Sequence, residues 1–424
     1  MSATLRRLVK EGRVVRIGTT KGARYGLRRE IEGIGSAWPI YQITRVGSIQ
    51  TLGMLYALAA DQYYVEADKA ALALHGFGSQ RVSTGLPYFL QDQRPAGFLG
   101  RAVPHQYPDL RLPQRVQDWT DDHYLRYLTL RGSDTVGDLI VGQPALDMYL
   151  ARQREPTAIS IAERERSYPS LATEVMAGGL PGSSAAGEHP KFAVLLKDGS
   201  AYKQVLVKFS PSIRDPVGQR WSDLLMSEHH AHEVSRAAGI LAAQSRIYQI
   251  QDRTYLEVDR FDREGRDGRI GVTSLLAIDT GFYGKLDNWI ASANRLYQDE
   301  RINLQALEQI KLIATFGTLI ANTDLHFGNL SFFDDYSGHF NLAPVYDMLP
   351  MLFAPAHDQL VARVYTPPDP TSETLKVWGR ARVLAEKFWR TVSADTSISA
   401  EFRQITTACL QTIEAYPKGG AYAV

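Results

Sequence analysis

Two apolar patterns flank a short polar segment in the last third of the chain. Before it, apolar residues recur at steps of three and four, as on the buried face of a helix: Leu304, Leu307, Ile310, Ile313, Phe316 and Ile320. After it, the stretches LSFF and FNLAPVY alternate or run apolar as short strands do. The polar residues between them are therefore predicted to form a helix-to-strand loop.

A shorter pattern of the same kind opens the chain. In SATLRRLVKEG the apolar residues Leu5, Leu8 and Val9 share one helical face, with Ser2 or Thr4 as the N-cap. Gly12 is predicted to end this helix. The following RVVRIGTTKGARYGL predicts a hairpin with strands at residues 13–17 and 23–27.

The middle of the chain predicts mixed structure. YQITRVGSIQTLGMLYALAADQYYVEA indicates strands and a helix, whereas FAVLL and QVLVKF indicate two neighbouring strands. Near the C-terminus, KVWGRARVLAEKFWRTV predicts an amphipathic helix whose apolar residues enter the core: Trp378, Val383, Leu384, Phe388 and Trp389.

The composition narrows the class of protein. With 424 residues, 44% hydrophobic and 22% charged, the chain is long enough for two or three globular domains, and disorder is not expected. One cysteine, Cys409, excludes an intrachain disulfide framework and a cysteine-ligated zinc site. The sequence shows no signal peptide and no apolar run of about 18 residues. We therefore expect a cytoplasmic protein with no membrane partner.

The charge is unevenly distributed. Nine Lys or Arg against two Glu give residues 1–30 a charge of +7, which leaves −6 for the rest of a chain whose net charge is +1. A helix followed by a basic hairpin is typical of the recognition helix and wing of a winged helix-turn-helix. The candidate DNA-binding residues are Arg6, Arg7, Lys10, Arg16, Lys21 and Arg24. Because two helices normally precede the recognition helix, we expect a partial module; the alternative is a solvated basic helix beside a hairpin.

A tract rich in small residues, MAGGLPGSSAAGEHPKFAVLL, precedes the FAVLL strand. Such loops let backbone N–H groups approach phosphates closely. The tract lacks the Gly-Lys-Ser/Thr ending of a P-loop, which disfavours a P-loop nucleotidase, and a flexible linker is the alternative. Lys191 and Lys208 lie on the two neighbouring strands, so both lysines are predicted to face the same phosphates.

The polar loop has the spacing of a phosphotransferase site. Asp324 and Asn329 match the D-x-x-x-x-N pattern of a kinase catalytic loop, in which Asp is the base and Asn a metal ligand. Asp347 follows on a later loop as a second metal ligand, since Mg²⁺ takes oxygen ligands. We expect His326 to stiffen the loop by bonding to a backbone carbonyl.

The stretches NTDLHFGNLSFF and LAPVYDMLP resemble the signature of the HipA family of serine/threonine kinases, toxins of toxin–antitoxin systems. SAAGEHPKFAVLL, VLVKF and EVDRFDR resemble its Gly-rich loop, lysine strand and hinge, and the basic N-terminus resembles its YjjJ-like branch. The resemblance implies an α+β, bilobal protein-kinase-like fold. It has a mixed β/α small lobe, a mainly helical C-terminal lobe and a partial winged-helix segment. The implied domains are 1–42, 43–258 and 259–424.

The resemblance also implies roles for particular residues, with ATP and Mg²⁺ as cofactors. Asp324 matches the catalytic base, Asn329 and Asp347 match the Mg²⁺ ligands, and Ser184 matches the autophosphorylated serine. The residues that match the ATP site are Lys191, Lys208, Gly187, Val258, Asp259 and Phe261. Two departures are visible: the loop is Ala-Gly-Glu-His-Pro-Lys where the family has Ala-Gly-Ala-Gln-Glu-Lys, and Asp259 replaces a frequent Glu.

One further cluster, SEHHAHE, invites a metal interpretation because His229 and Glu233 lie one helical turn apart. Structural use is the favoured interpretation, with Glu228 paired to a phosphate-binding lysine as in protein kinases. The chain is thus predicted to be an ATP- and Mg²⁺-dependent serine/threonine kinase. The alternative is a DNA-binding regulator whose kinase-like fold senses nucleotide without catalysis. The expected partners are a protein substrate, which in related kinases is an aminoacyl-tRNA synthetase, DNA and an antitoxin.

Overall fold

The computed structural model describes residues 3–18, 22–67, 82–177, 189–356 and 359–416. Three predicted site residues lie outside these ranges: Lys21, Ser184 and Gly187. The described chain is an α+β structure in which a small sheet-based lobe and a helical lobe face each other, and a further sheet domain precedes them.

The N-terminal segment contains one helix and one antiparallel hairpin: α1 (Ala3–Lys10), β1 (Val14–Ile17) and β2 (Arg24–Leu27). Gly12 ends the helix as predicted, with φ at 70° and its N–H donating to Val9 O. Of the two predicted N-cap residues, Thr4 is wrong because it lies within the helix, and Ser2 lies outside the described residues. Val15 packs with Leu58 and Tyr64 of the next domain, so the hairpin shares a core with that domain.

The middle domain is built on an antiparallel five-stranded sheet in the order β6-β5-β4-β3-β7. Its elements are β3 (Ala37–Ile43), β4 (Ile49–Leu58), β5 (Gln62–Ala67), β6 (Val82–Thr84), α2 (Gly97–Gln106), α3 (Asp121–Arg131), β7 (Leu139–Val141) and α4 (Gln143–Arg154). The helix predicted within residues 41–67 is wrong. Leu, Met and Ala favour a helix there, but pairing with strands on both sides overrides this propensity.

The small lobe carries a second five-stranded sheet in the order β11-β12-β10-β9-β8. Its elements are β8 (Ala158–Ser160), α5 (Arg164–Met176), β9 (Lys191–Asp198), β10 (Ala201–Phe209), α6 (Pro216–Ala237), β11 (Ser245–Ile250) and β12 (Arg253–Asp259). Helix α5 covers one face, where Tyr168 packs on Phe192 and Val207. Since side chains alternate along a strand, Lys191 and Lys208 lie on the opposite face.

The helical lobe begins with a small hairpin and is centred on α9. Its elements are β13 (Arg263–Glu264), β14 (Gly268–Arg269), β15 (Val272–Ser274), α7 (Leu275–Phe282), α8 (Trp289–Gln298), α9 (Leu304–Leu319), β16 (Ser331–Asp334), β17 (Phe340–Leu342), α10 (Leu375–Ala394) and α11 (Ala400–Ala415). Most predicted core positions of α9 and α10 are buried. Leu304, the first residue of α9, is 52% exposed, and Val383 on the outer side of α10 is 59% exposed.

The predicted domain boundaries fall inside strands. The boundary after residue 42 lies within β3, and the boundary after residue 258 lies within β12. The division into residues 1–42, 43–258 and 259–424 stays a prediction.

Aromatic rings join the middle domain to the helical lobe. The Tyr88 ring lies 5.0 Å from Phe282 and 6.4 Å from Phe340, measured between centroids. At the edge of this contact the buried Asp334 carboxylate accepts hydrogen bonds from Tyr88, Thr273 and the Tyr336 backbone N–H, at 3.2, 2.9 and 2.7 Å. Burial nevertheless raises the pKa of Asp334 to about 6.

This buried carboxylate should make stability depend on pH. Because the folded pKa is raised, the contribution of Asp334 is greatest when the group is protonated and is lost as pH rises through about 6. Between pH 4.5 and 7, wild type should lose about 2 kcal/mol relative to Asp334→Asn, as measured by urea unfolding at each pH. The exposed neighbour variant Asp335→Asn should keep the wild-type profile. Parallel profiles for wild type and Asp334→Asn would contradict the assignment.

Candidate active site

The polar loop after α9 brings two predicted site residues together. The Asp324 N–H donates to Asn322 Oδ1 at 3.0 Å, and Asn329 Nδ2 donates to the Asp324 carbonyl at 2.9 Å. Asn329 ends a short 3-10 turn and is buried, while the Asp324 side chain is half-buried. Burial raises the pKa of Asp324, and the nearby charge of Asp347 acts in the same direction.

His326 stiffens this loop, but its partner differs from the predicted carbonyl. Its Nδ1 accepts from the Gly328 N–H at 3.0 Å and so caps the 3-10 turn. The His326 carbonyl accepts from Trp289 Nε1 at 3.0 Å, which fixes the loop to α8. A 3-10 turn leaves its first backbone N–H groups without partners inside the turn. The His326 side chain satisfies one of them, so it bonds an N–H and not the predicted carbonyl.

The Lys208 ammonium connects the two lobes. Its Nζ donates to both oxygens of Glu228 on α6, at 2.7 and 2.8 Å, and also contacts Asp347 Oδ1 from the helical lobe. Burial disfavours the charged form, but the two carboxylates outweigh it and raise the pKa of Lys208. The predicted pairing of Glu228 with a lysine is therefore present.

Asp347 lies where the two lobes meet, with its backbone in the left-handed region at φ 57°. Burial works against its ionised form, yet Lys208 and Lys191 hold the pKa of Asp347 well below its usual range. Asn322 Nδ2 donates to the Asp347 carbonyl at 3.3 Å, which ties this residue to the loop of Asp324.

The two lysines share one face of the sheet, as predicted. Lys191 on β9 is directly opposite Lys208 on β10, and each is less than 10% exposed. Two pairs further along, and so on the same face, Ala193 is opposite Leu206, and both side chains are partly exposed. Because cross-strand pairs point to the same side, a charged patch beside an apolar patch faces the cleft.

The predicted hinge closes the apolar end of this cleft. Val258 is buried on the same side as Leu206, its cross-strand partner. Asp259 points to the other face, where Lys203 and Arg246 hold it at 2.9 and 3.0 Å. Its N–H and that of the next residue are already bonded to carbonyls. Within the described part of the chain the Phe261 N–H makes no backbone hydrogen bond, and the adenine contact of Val258, Asp259 and Phe261 stays a prediction.

Tyr346 is a site residue that the sequence interpretation missed. Its ring lies 5.7 Å from the Phe261 ring, and its hydroxyl donates to the Gly328 carbonyl at 2.6 Å and meets Ser331 Oγ at 2.7 Å. Tyr346 thus connects the hinge to the catalytic loop. Its position directly before Asp347 in APVYD was the available signal.

His189, one of the departures in the Gly-rich tract, lies beside the lysines. Its ring stacks against Trp221 of α6 at 4.8 Å. Burial, with Lys208 and Lys191 adding to it, lowers the pKa of His189 to about 3. Its Nε2 is buried and has no hydrogen-bond partner within the described chain.

The SEHHAHE cluster has structural partners. His229 and His232 each contact Ser245 Oγ through Nδ1, at 2.9 and 3.0 Å, and Glu233 pairs with Arg236. Among the described residues, no group of three or more His, Cys, Asp or Glu side chains could hold a metal ion. The metal interpretation of this cluster is not supported.

Asp347 and Asn329 fit a different kind of metal site. The side-chain Nδ2 of Asn329 bonds within the loop, which leaves its side-chain Oδ1 as a candidate metal ligand. Lys208 contacts only one of the two carboxylate oxygens of Asp347. Mg²⁺ commonly takes one or two protein oxygens and completes its shell with phosphates and water. The pair therefore suits a metal that arrives with a nucleotide.

The basic N-terminal residues form an exposed surface. Arg6, Arg7 and Lys10 are exposed on α1, and Arg16 and Arg24 are exposed on the hairpin. No residue of α1 is fully buried.

Among the described helices, none combines the length and the apolar character that a membrane span requires.

Comparisons with known proteins agree with this architecture. Residues 34–150 match the middle domain of YjjJ-like toxins, and residues 183–416 match the HipA-like C-terminal domain. Toxin YjjJ of Escherichia coli strain K12 is 35% identical over 408 residues, covering 95% of this chain and 90% of that toxin.

Two solved structures are also similar. One is a chain of the Shewanella oneidensis MR-1 complex of HipA, HipB and operator DNA. It aligns with a TM-score of 0.55 at 16% identity, over 89% of this chain and 97% of that chain. The Helicobacter pylori proinflammatory kinase CtkA aligns with a TM-score of 0.38 at 13% identity, over 55% of this chain and 94% of its own. The alignment with the Shewanella chain shows that the two proteins share a fold.

Removing the Lys208 ammonium should lower the stability of the protein. Lys208→Met leaves the buried Glu228 and the partly exposed Asp347 without their shared cation, so we expect a loss of about 3 kcal/mol in the free energy of unfolding. The matched control is Lys203→Met on the same strand, whose pair with Asp259 is half exposed and worth at most about 0.5 kcal/mol. Denaturant unfolding measures both variants. Equal free energies of unfolding for Lys208→Met and wild type would show that Lys208 does not organise the site.

Proposed function

The chain belongs to the HipA-like toxin family, in its YjjJ-like branch, and on this premise we propose that it is an ATP- and Mg²⁺-dependent serine/threonine protein kinase. One observation carries the proposal. A buried lysine is held by a helix glutamate and meets an aspartate beside an Asp/Asn loop. Protein kinases use the same set of groups to place the phosphates of ATP.

Each side chain has a role that follows from its surroundings. Lys208 and Lys191 supply positive charge on the cleft face of the sheet, where the phosphates of ATP would lie. Ala193, Leu206 and Val258 offer an apolar surface for adenine beside the Phe261 N–H. Asn329 and Asp347 would hold Mg²⁺, which when bound neutralises charge on the phosphates.

Asp324 would act as the base. It would orient the hydroxyl of a substrate serine or threonine and accept its proton as the oxygen attacks the terminal phosphate. Burial raises the pKa of Asp324, and this makes the carboxylate a better proton acceptor. Its backbone bonds to Asn322 and Asn329 hold the loop in place before substrate arrives.

We extend the proposal to partners. The similar Shewanella structure is of a toxin–antitoxin system with HipA, HipB and operator DNA. We propose an antitoxin and DNA as partners here too, together with a protein substrate. An aminoacyl-tRNA synthetase is the first substrate to test, because the resemblance to the HipA family implies one.

Catalysis is tested by incubating the protein with Mg-ATP and measuring intact and peptide masses. Wild type should gain one phosphoryl group on Ser183 or Ser184. Asp324→Asn should slow this transfer at least about a hundredfold, because the base is lost, while Mg-ATP binding is kept. Asp347→Ala should lose the Mg²⁺ dependence of ATP binding.

The exposed acid Asp335, changed to Asn, is the control and should transfer at the wild-type rate. Full transfer by Asp324→Asn would overturn the assignment of the base. Wild type that binds Mg-ATP but transfers nothing to itself or to a synthetase would favour the alternative, a regulator that senses nucleotide without catalysis.

A second proposed activity is DNA binding by the N-terminal segment. The exposed basic residues of α1 and the hairpin favour it, because phosphate contacts come from Lys and Arg on one accessible surface. The hairpin is also fixed to the middle domain through Val15, so this surface has a defined position on the molecule.

Duplex binding measured by fluorescence anisotropy at several salt concentrations tests this activity. The double variant Arg6→Gln/Arg7→Gln should bind more weakly, with a salt slope smaller by about 2, one for each lost phosphate contact. The control pair Lys376→Gln/Arg380→Gln changes the same charge on the exposed side of α10 and should match wild type. An unchanged slope in the first variant would remove α1 from the interface.

A further inference from the structure

A cluster of buried arginines lies where the chain leaves the hinge and meets the middle domain. Its members are Arg260, Arg263 and Arg269, and two acids, Asp134 and Asp262, lie among them. Arg263 Nη2 donates to Asp134 Oδ1 at 2.9 Å and to the Thr135 carbonyl at 2.6 Å. Arg152 also lies 3.5 Å from Asp134, so four guanidinium groups share these two carboxylates.

Arg269 is the member of this cluster whose positive charge is least offset by neighbouring acids. Its side chain is 4% exposed, its Nη2 donates to the Ser133 carbonyl at 2.6 Å, and its guanidinium lies 4.8 Å from the Tyr149 ring centroid. It is the cross-strand neighbour of Arg263, a like charge. Within the described ranges Arg269 forms no salt bridge. Burial, followed by the charge of Arg263, lowers the pKa of Arg269 to about 9.

Asp138, the other acid near this arginine, is already engaged. Its two oxygens accept from the Tyr336 hydroxyl and from Gln42 Nε2, the latter at 2.7 Å. Both donors are neutral, so they do not cancel the charge of this carboxylate. With Asp138 counted, four guanidinium groups face three acids among the described side chains, an excess of one positive charge.

Three buried polar atoms at this position also lack a hydrogen-bond partner within the described chain: Arg269 Nη1, Ser133 Oγ and Thr135 Oγ1. Ser133 and Thr135 are both fully buried. They are neighbours of the same arginine pair, because Arg269 bonds the Ser133 carbonyl and Arg263 bonds the Thr135 carbonyl. A buried donor without a partner is destabilising, and native proteins rarely leave several together.

We propose that Arg269 Nη1, Ser133 Oγ and Thr135 Oγ1 bind a small monovalent anion of the size of chloride. Two hydroxyls and one guanidinium N–H are donors, which is the set that an anion requires. A water molecule would satisfy hydrogen bonds but would leave the excess charge of four arginines against three acids. The near-complete burial of all three residues favours a monatomic ion over a phosphate or a carboxylate.

The anion would join two parts of the protein. Ser133, Thr135 and Tyr149 belong to the middle domain, whereas Arg269 belongs to the hairpin that follows the hinge. The side chain of Asp134 is 23% exposed, so the cluster approaches solvent at that point and the ion has a route to exchange. Binding would therefore stabilise the contact between the middle domain and the chain just after the hinge.

The test is thermal and denaturant unfolding of the full-length protein in sodium chloride against sodium gluconate at constant ionic strength. If the site binds chloride, each tenfold rise in chloride above the dissociation constant should raise the folding equilibrium constant up to tenfold. Arg269→Gln should abolish this difference between the two salts. Ser133→Ala/Thr135→Val should reduce it, and this second variant keeps all arginines in case the first one fails to fold.

The control is Arg266→Gln, an exposed arginine on the same hairpin, which should keep the full chloride effect. Crystals grown with bromide should show an anomalous peak between Arg269 and the two hydroxyls. Identical stability of wild type in the two salts, with no bromide peak, would overturn the proposal and assign these atoms to water. A chloride effect that persists in both site variants would also overturn it.

Discussion

The buried ammonium of Lys208 is the interaction on which the rest of the site depends. It lies between Glu228 of α6 and Asp347 of the helical lobe, so one cation fixes the sheet, a small-lobe helix and the segment of Asp347 relative to one another. Burying a cation costs several kcal/mol unless its partners are well placed. Two carboxylates offset this cost here. The same charge that orders the free protein would also face the phosphates of a nucleotide.

Tyr346 connects the hinge to the loop that carries Asp324 and Asn329. Its ring contacts Phe261, its hydroxyl bonds the Gly328 carbonyl, and its backbone leads directly into Asp347. The hinge, the loop and the metal-ligand position are therefore linked through a single side chain. Such rigid support keeps reacting groups within the small tolerances that phosphoryl transfer requires.

Periodicity in the sequence predicted the elements that bury a single clear face. Helix α9, the polar loop after it and the N-terminal hairpin were found in this way, because their apolar spacing matches one secondary structure. Spacing also indicated that Asp324 and Asn329 would lie together. The helix expected within residues 41–67 failed, because strand pairing with distant residues decided the conformation. The role of Tyr346 and the charge excess at Arg269 were equally hidden, since both depend on residues far away in the chain.

The distribution of contacts also indicates which parts move together. The middle domain is joined to the helical lobe by the rings around Tyr88 and by the buried arginine cluster, and the N-terminal hairpin packs on that same domain. These three parts should behave as one body. The small lobe meets them at the hinge, through Lys208 and through contacts of α6. Helix α6 also shares the main apolar core with the helical lobe through Leu224, Met226 and Val234, so the small lobe is fixed to this body along the length of a helix. The basic surface of α1 therefore has a defined position relative to the Lys208 site, because the hairpin beside α1 packs on the middle domain of the same body.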